Sequence, residues 1–562
     1  MSAIFYHPDA YSTHAPKLMG RNVAGDSFLR GFFKFASPRE SLFAQVSTEA
    51  HGREFAELFK RHGRSENLRI FSNQNLSAAA EAQLVYHPDP EIGTHAYRRS
   101  LYSNDSWSLC GITHTTSSAG AMDAISEWIT APVQPWDAII CTSTAVKNNV
   151  ETILQAQVNA LEIRLGIQKF SLPQMPVIPL GVHTDDFHYS KQDRADSRTQ
   201  LGVREDALVI LYVGRLSFHG KAHPLAMYQA LENAARASGH SEITLIECGW
   251  YANEQIGMAF TEGAELVCPS VNVITLDGRV QANRKRAWSS ADIFCSLSDN
   301  IQETFGIVPI EAMSAGLPLV VSDWDGYKDT VRDGIDGFRI PTLTPSPGLA
   351  GDLAHRHALE IDTYDMYIGH TSALVAIDIN KLTYSFIELF KSPELRRKMG
   401  EAGRHSAVQN YDWREIICRY EELWEEQSKI RLAEKRRVLE RKDAQNKNLI
   451  RSVWPARLDP TIAFAKYGTH HLTPTTELIL TEQSVEHALK KLAQYKGLAM
   501  VNFAGYIFPT EAEIKSVLEI AERNLPQSSS ADALLQGTSE RRRPFVFRGL
   551  VWLCKLGLFQ FT

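Results

Sequence analysis

Two glutamates, Glu303 and Glu311, stand eight positions apart in the stretch DNIQETFGIVPIEAMSAGLPLVVSD, residues 299–323, with Gly306 between them. The preceding SLSDN reads as a strand end. TFGIVPIEAMSAG carries apolar residues at helical spacing, so Thr304 to Ile307 are expected to form the first turn of a helix, with Pro309 early enough to be tolerated. A helix start leaves its first amides unpaired and carries the positive end of the helix dipole, which suits an anion such as a diphosphate. One carboxylate could then face a sugar at the end of the diphosphate and the other a ribose. Taken alone, that acidic spacing fits an ordinary β-α-β unit with incidental glutamates. VGRLSFHGKAHP changes the balance, because it places Arg215 and Lys221 just past Gly214 at the end of another strand, where two fixed cations can neutralise a diphosphate. Each alone reads as a surface charge; with the helix start they make a site.

Elements that could position these groups run the length of the chain. From Ile4 to about Gly181 the runs AIFY, SLFAQV, NLRIFS, LCGITH, AIICTS and MPVIPLG read as strands separated by amphipathic stretches, the pattern of a parallel sheet covered on both faces. HTDDFHYSKQDRADSRTQLGVRED, residues 183–206, has neither period and reads as a linker. A second series follows in ALVILYVG, EITLIECG, VNVITLDG, ADIFCSLS, LPLVVSD and DGFRIPT. Two doubly wound domains in tandem imply a crevice between them at the carboxyl ends of both sheets. The segment from Pro341 reads as a surface insertion, with helical patterns resuming near Ile377. The charge run from Ser428 to Lys447 reads as a solvated connecting helix, since Leu432 and Leu439 alone do not sustain a coiled coil. The expected divisions are 1–190 for a first Rossmann-like domain, 200–425 for a second, 426–454 for the connecting helix and 455–562 for a small accessory module.

At 562 residues the chain has material for several cores, and its net charge of −6, from 59 basic and 65 acidic residues, supplies no global pull toward nucleic acid or an anionic membrane. The seven cysteines form no C-x-x-C pair and no zinc spacing, which points to free buried thiols. The N-terminal residues lack the pattern of a secretory leader, and no run of 18 apolar residues occurs, so a cytoplasmic protein is expected.

VGRL with its following lysine, and then ETFGIVPIEAMSAGLPLVVSD, resemble the retaining glycosyltransferases of family GT4, over roughly residues 1 to 425 and most strongly in the second series. The resemblance implies an α/β GT-B fold of two tandem Rossmann-like domains with an inter-domain cleft, the first on the acceptor side and the second binding a nucleotide-sugar donor. It implies that Arg215 and Lys221 hold the diphosphate and stabilise the charge of the leaving nucleotide, which is electrostatic catalysis. Glu311 would bond the ribose, Glu303 would contact the donor sugar, and the amides of Phe305, Gly306 and Ile307 would complete the phosphate cradle. LDGRV, ending at Val280, falls where the family's backbone meets the base. In the first series LMGRNVAGDSFLRGF occupies the place of the family's glycine-rich loop, with Gly25 as the close-approach glycine although the usual double glycine is absent. THTTSSAG puts His114 where the family carries an active-site histidine; a lone histidine at a strand end is otherwise a structural residue. VIPLGVHTDDF resembles the family's PNGVD segment, with Leu180 and His183 as departures.

Retaining glycosidases use two carboxylates and a covalent intermediate, whereas in this transferase family the usual proposal is front-face attack by the acceptor; Glu303 is not read as a nucleophile. Asp323 and Asp325 in DWD mimic a metal motif but read as the ordering of a turn with Gly326, so neither metal nor cofactor is expected. The implied partners are the nucleotide-sugar donor and a glycan, lipid-linked or small-molecule acceptor, with no nucleic acid. RRRPFVFRGLVWLCKLGLFQFT at the C-terminus reads as packing of a mainly helical module, winged-helix-like in outline, because Trp552, Leu553 and Leu556 share a helical face; peripheral membrane contact is the second reading. The expected function is transfer of a sugar to a hydroxyl, of the hexosyltransferase type, in polysaccharide or glycoconjugate synthesis. The alternatives are a catalytically weak assembly protein acting through its C-terminal module, a GT-B epimerase, or a phosphorylase, whose pyridoxal form would need a Schiff-base lysine site that the sequence does not display.

Overall fold

The computed structural model describes residues 2–12, 20–240, 242–440 and 454–561. The chain divides into two compact units, Met1–Ala456 and Arg457–Thr562. The first unit is built on two six-stranded parallel sheets. One contains β1 (Ala3–Tyr6), β2 (Ser41–Val46), β3 (Asn67–Phe71), β4 (Leu84–Tyr86), β5 (Ser108–Ile112) and β6 (Ala138–Ile140) in the order β3-β2-β1-β4-β5-β6. Its central strands are buried on both faces, as the helices of βαβ crossovers require. The expected strand at MPVIPLG is not one: Gln174 and Val177 make only isolated bridges to Ala138 and Cys141. The sixth strand is instead the three-residue β4, whose apolar run is too short to show a period.

The other sheet holds β7 (Leu208–Val213), β8 (Ile243–Gly249), β9 (Asn272–Asp277), β10 (Ile293–Ser296), β11 (Leu319–Ser322) and β12 (Gly337–Ile340), ordered β12-β11-β10-β7-β8-β9. All six expected runs are strands here. Parallel pairing of β7 with β10, Ile293 opposite Ile210, brings the loops after these two strands together.

The expected linker at 183–206 is largely structured. Thr184–Phe187 forms a 3-10 turn, and Lys191–Leu201 is a helix whose capping box joins Ser190 to Asp193. This helix anchors through polar groups: buried Arg198 donates to the carbonyls of Ser290 and Ala207 and to Asp292, and Ser289 Oγ lies 2.8 Å from Ser197 Oγ. A helix held by an arginine and a serine shows no apolar period. The expected insertion after Pro341 is likewise ordered, with β13 (Thr342–Leu343) and β14 (Ala376–Ile377) antiparallel and the helices Gly351–Ala358 and Tyr364–Ser372 between them. Buried Asp362 ties the insertion together, accepting from Arg356 at 2.7 Å and lying 3.1 Å from His370.

The helix Trp413–Glu440 crosses the expected division at 425–426 and returns to the first sheet. Trp413, Tyr420 and Trp424 join Phe28 and Phe32 in one core, Gln427 donates to the carbonyls of Leu109 and Trp136, and Arg431 reaches Gln83 and Ser108. Beside it the chain crosses in the other direction at Val182. The two crossings are bonded together, Val182 N to Tyr411 O at 2.8 Å and Trp413 N to Val182 O at 3.2 Å. The end of the expected charge run, residues 441–447, lies outside the described residues.

The second unit has a three-stranded antiparallel sheet, β16-β15-β17, of β15 (Glu477–Leu480), β16 (Ser529–Ser530) and β17 (Phe559–Phe561), with helices at Val485–Lys496, Glu511–Arg523 and Arg543–Lys555. PQSSSADALLQGTSERRRP, residues 526–544, reads as disordered by composition, but it supplies β16, seats Leu534 and Leu535 in the core and runs into the start of the last helix. The last helix packs, but through a face of Val546, Leu550 and Leu553; of the expected face only Leu553 is fully buried, while Trp552, stacked 3.9 Å from Phe508, and Leu556 are partly buried against the core. All seven cysteines are free and five are buried, but Cys418 is exposed.

Candidate functional site

The loop after β7 carries both expected cations and is gripped almost residue by residue by the segment after β10. Ser298 Oγ donates to the Lys221 carbonyl at 3.4 Å, the amide of His223 donates to Asp299 at 3.3 Å, and Asn300 Nδ2 donates to the His219 carbonyl at 2.8 Å. Arg215 donates to the Gly220 carbonyl at 3.1 Å and to Gln302 Oε1 at 2.6 Å, which fixes its guanidinium. Lys221 pairs with Glu303, and both side chains are largely buried. Beneath the loop the phenol of Tyr212 donates to the Arg215 carbonyl at 3.1 Å.

The helix expected from Thr304 begins three residues later, spanning Ile307–Ser314 with Gly306 as its N-cap. Gly306 has φ +80°, and a Cβ there would lie 2.0 Å from the Tyr327 ring, so only glycine makes this entry. No side chain caps the helix start, and Pro309 has no amide to offer, so the open donors are those of Phe305 through Val308. Glu311 sits one turn in. Burial pushes its carboxyl up to about 7, against the opposing pull of Arg284 and Lys221.

The first sheet meets this turn directly. Ser143 Oγ donates to the Thr304 carbonyl at 2.8 Å, and Thr304 Oγ1 donates to the His114 carbonyl at 3.2 Å. The insertion also reaches across: Tyr364 Oη lies 2.8 Å from Ser117 Oγ, in the loop that carries His114. The structure therefore gathers Arg215, Lys221, Glu303, Phe305, Gly306, Ile307, Glu311 and His114 at one place, between the carboxyl ends of the two sheets. Val280 stands off to the side, exposed at the N-cap of the helix Gln281–Ser290, one turn before the Arg284 that faces Glu311.

Gly25 is a correction. It lies inside the helix Gly20–Phe35, not in a loop, and a Cβ on it would fall 2.0 Å from the Ala10 carbonyl. Its close approach is to its own chain, so packing, not a donor phosphate, requires the glycine. The residues of the expected loop before it, 13–19, lie outside the described ones.

Two carboxyls escaped the sequence reading. Asp299 is buried with Oδ1 unpartnered, and burial pushes it up to about 7. Asp325 has φ +43° and rises to about 8, through burial first and the nearby Glu303 charge second; Ser143 Oγ lies 3.5 Å from it. Its position in DWD was noticed, and the turn is as read, Tyr327 N donating to Trp324 O at 3.1 Å, but the contact across to the first sheet has no local signal. Asp323 turns away toward Arg339, 3.4 Å distant.

Residues 193–346 match the family described as glycosyl transferases group 1. The D-inositol 3-phosphate glycosyltransferase of Geodermatophilus obscurus is 32% identical over 183 residues, 30% of this chain and 37% of that protein. The phosphatidyl-myo-inositol mannosyltransferase of Mycobacterium leprae is 31% identical over 157 residues, 27% of this chain and 32% of its own. The chain thus spans about a third of the length of the curated relatives it matches. Among solved structures, Anabaena Alr3699/HepE in complex with UDP aligns over 75% of this chain and 98% of its own, at 15% identity and a TM-score of 0.49. The match to the glycosyl transferases group 1 family covers β7 to β12 and the cations, carboxylates and amides of the loop-and-helix site.

Proposed function

We propose that the protein is a retaining glycosyltransferase that moves a sugar from a nucleotide-diphosphate sugar to a hydroxyl acceptor, in polysaccharide or glycoconjugate synthesis. The observation that carries this reading is the pairing of Lys221 with Glu303 beside the fixed Arg215 and the open start of the helix Ile307–Ser314. A diphosphate entering there takes Lys221 from Glu303 and bonds the amides of Phe305 to Ile307. Glu303 is then free to accept from sugar hydroxyls, and Glu311 from the ribose. As the glycosidic bond loosens, negative charge grows on the departing diphosphate, where two cations and a helix start already stand; such preorganised donors are worth about 10²–10³ in rate each. His114, joined through its carbonyl to Thr304, faces the transferred sugar or acceptor from the other sheet. In this reading side-chain cations carry the charge stabilisation and no resident metal is required.

Thermal unfolding with UDP, GDP and ADP and their sugar conjugates tests it, because a ligand of the folded state raises the midpoint with concentration. One nucleotide is expected to stabilise the wild type and not the Arg215→Ala/Glu311→Ala variant. Absence of any shift at millimolar nucleotide sinks the donor site and turns attention to residues 457–562 as an assembly module.

A further inference from the structure

Three neighbouring strands of the first sheet each run into a histidine at their carboxyl ends. β1 ends at Tyr6 before His7, β4 ends at Tyr86 before His87, and β5 ends at Ile112, two residues before His114. In the sheet β4 lies between β1 and β5, so the three histidines form a row along one edge. The helix that follows β4, Ile92–Ser100, returns His95 and Arg98 to the same corner. The rings of His87 and His95 are 3.8 Å apart, and the Phe5 ring lies 5.1 Å from His87, 5.2 Å from His95 and 5.5 Å from His7.

His87 is wholly buried, and neither of its ring nitrogens has a hydrogen-bond partner. A neutral imidazole presents one donor and one acceptor, and a buried polar group left unsatisfied is destabilising. The charged groups felt by His87 are His95, Arg98 and His7, all of the same sign, and His95 in turn feels Arg98 and His7. Burial and these neighbours hold both imidazoles neutral, His95 down to about 3. The carboxylate two residues along, Asp89, is engaged with the Glu91 amide at 2.9 Å. His7, His95 and Arg98 are half-buried, whereas His87 is fully buried. A corner that gathers cationic and cationisable groups around a buried, unpartnered imidazole suits an anionic ligand.

We propose that His7, His95 and Arg98, with His87 beneath them, form a subsite for an anionic oxygen group, a phosphate carried by the acceptor. Only the word acceptor rests on the glycosyl-transfer reading; the anion site stands on the geometry. The phosphate oxygens accept from the Arg98 guanidinium and the His95 ring, and the row of strand-end histidines leads from that anchor toward His114.

Isothermal titration with inorganic phosphate tests the site in the full chain carrying Arg215→Ala/Lys221→Ala, so that the donor-side cations cannot hold the probe. Saturable millimolar binding, weakened tenfold or more by Arg98→Gln and by His95→Gln, is expected. No saturation, or binding indifferent to both substitutions, overturns the proposal. His95→Gln is half-exposed enough to serve alone should Arg98→Gln misfold. Glycerol 3-phosphate and vesicles of phosphatidylinositol in phosphatidylcholine then separate the sources: a loss on His95→Gln confined to the soluble ligand marks a free phosphate ester, and one confined to the vesicles marks a lipid headgroup. Vesicle binding that survives His95→Gln, with no soluble binding, counts against the site. Nucleotide stabilisation of the otherwise wild-type chain reports separately on the donor reading, so either conclusion can fall without the other.

Discussion

The two six-stranded sheets of the first unit share one strand order, each in its own sequence numbering three-two-one-four-five-six, yet their carboxyl edges are finished in opposite ways. On the donor side the loop after β7 is held by a ladder of paired side chains, and burial raises Glu247, Asp299 and Glu311 to about 7 and Asp325 to about 8. On the other side stand fully buried His87 and half-buried His95, both held neutral by burial first and then by Arg98 and His7. The same topology therefore presents one edge that stores protons near neutrality and another that refuses them. A site for phosphates benefits from the first, because neutral acids do not repel the ligand; the second stays ready to gain charge when an anion arrives.

Breaking the scaffold of the histidine side gives the largest expected effect. Arg99 and Asp137 form a fully buried bidentate pair at 2.6 and 2.8 Å, and Arg99→Met strands the carboxylate, at a cost of about 3–5 kcal/mol measurable by urea unfolding. Adding Asp137→Leu is expected to restore part of that loss, since no uncompensated charge then remains. On the donor side Lys221→Ala is expected to lower transfer about 10²–10³-fold, with stability changed far less. A Lys221→Ala protein that keeps its turnover with the donor found by thermal shift would remove the functional side of the comparison. Gly306→Ala forces a Cβ against the Tyr327 ring at positive φ, and is expected to cost about 1–3 kcal/mol and to loosen nucleotide binding in parallel.

The smallest effect is the pH signature, and it carries opposite signs on the two edges. Raised carboxyls hold more protons folded than unfolded, so their stabilisation is complete below the ordinary carboxyl value and is lost as pH rises from about 4.5 to about 7. Lowered histidines hold fewer protons folded than unfolded, so their contribution is present above about 6.5 and is lost as pH falls. Hydrogen exchange between pH 5 and 7.5 is expected to show protection falling with pH around Leu297 to Asn300 and rising with pH around Tyr86 to Ser100. Glu311→Gln removes part of the first slope and leaves the second.

The donor edge was the legible one. Its strands are six or seven residues long where they matter, as in LVILYV and ITLIECG, and fully buried parallel strands announce themselves by continuous apolar runs. Its cations and glutamates lie in two short stretches, so local reading could assemble most of them. The other edge includes LVY, three residues with no period to read, and contacts separated by hundreds of positions, such as Tyr364 with Ser117. Asp299 and Asp325 look like ordinary loop acids until burial is known. Lys191–Leu201 hid for the complementary reason: Arg198 buries a charge among carbonyls, which no hydrophobic period can report. Gly25 was noticed as a glycine that something must approach closely, but the approaching atom is the chain's own Ala10 carbonyl.

The paired crossings at Val182 and Trp413 have a mechanical consequence. Two polypeptide segments that pass between the sheets side by side, laced by backbone bonds and wedged where Trp413 occupies the space a side chain on Gly181 or Gly31 would need, act as a pin joint rather than a tether. Such a joint permits rotation about one axis and resists sliding. Any opening of the cleft about that joint would break the contacts of Ser143 with Thr304 and of Tyr364 with Ser117, so these hydroxyls would act as a latch on the hinge.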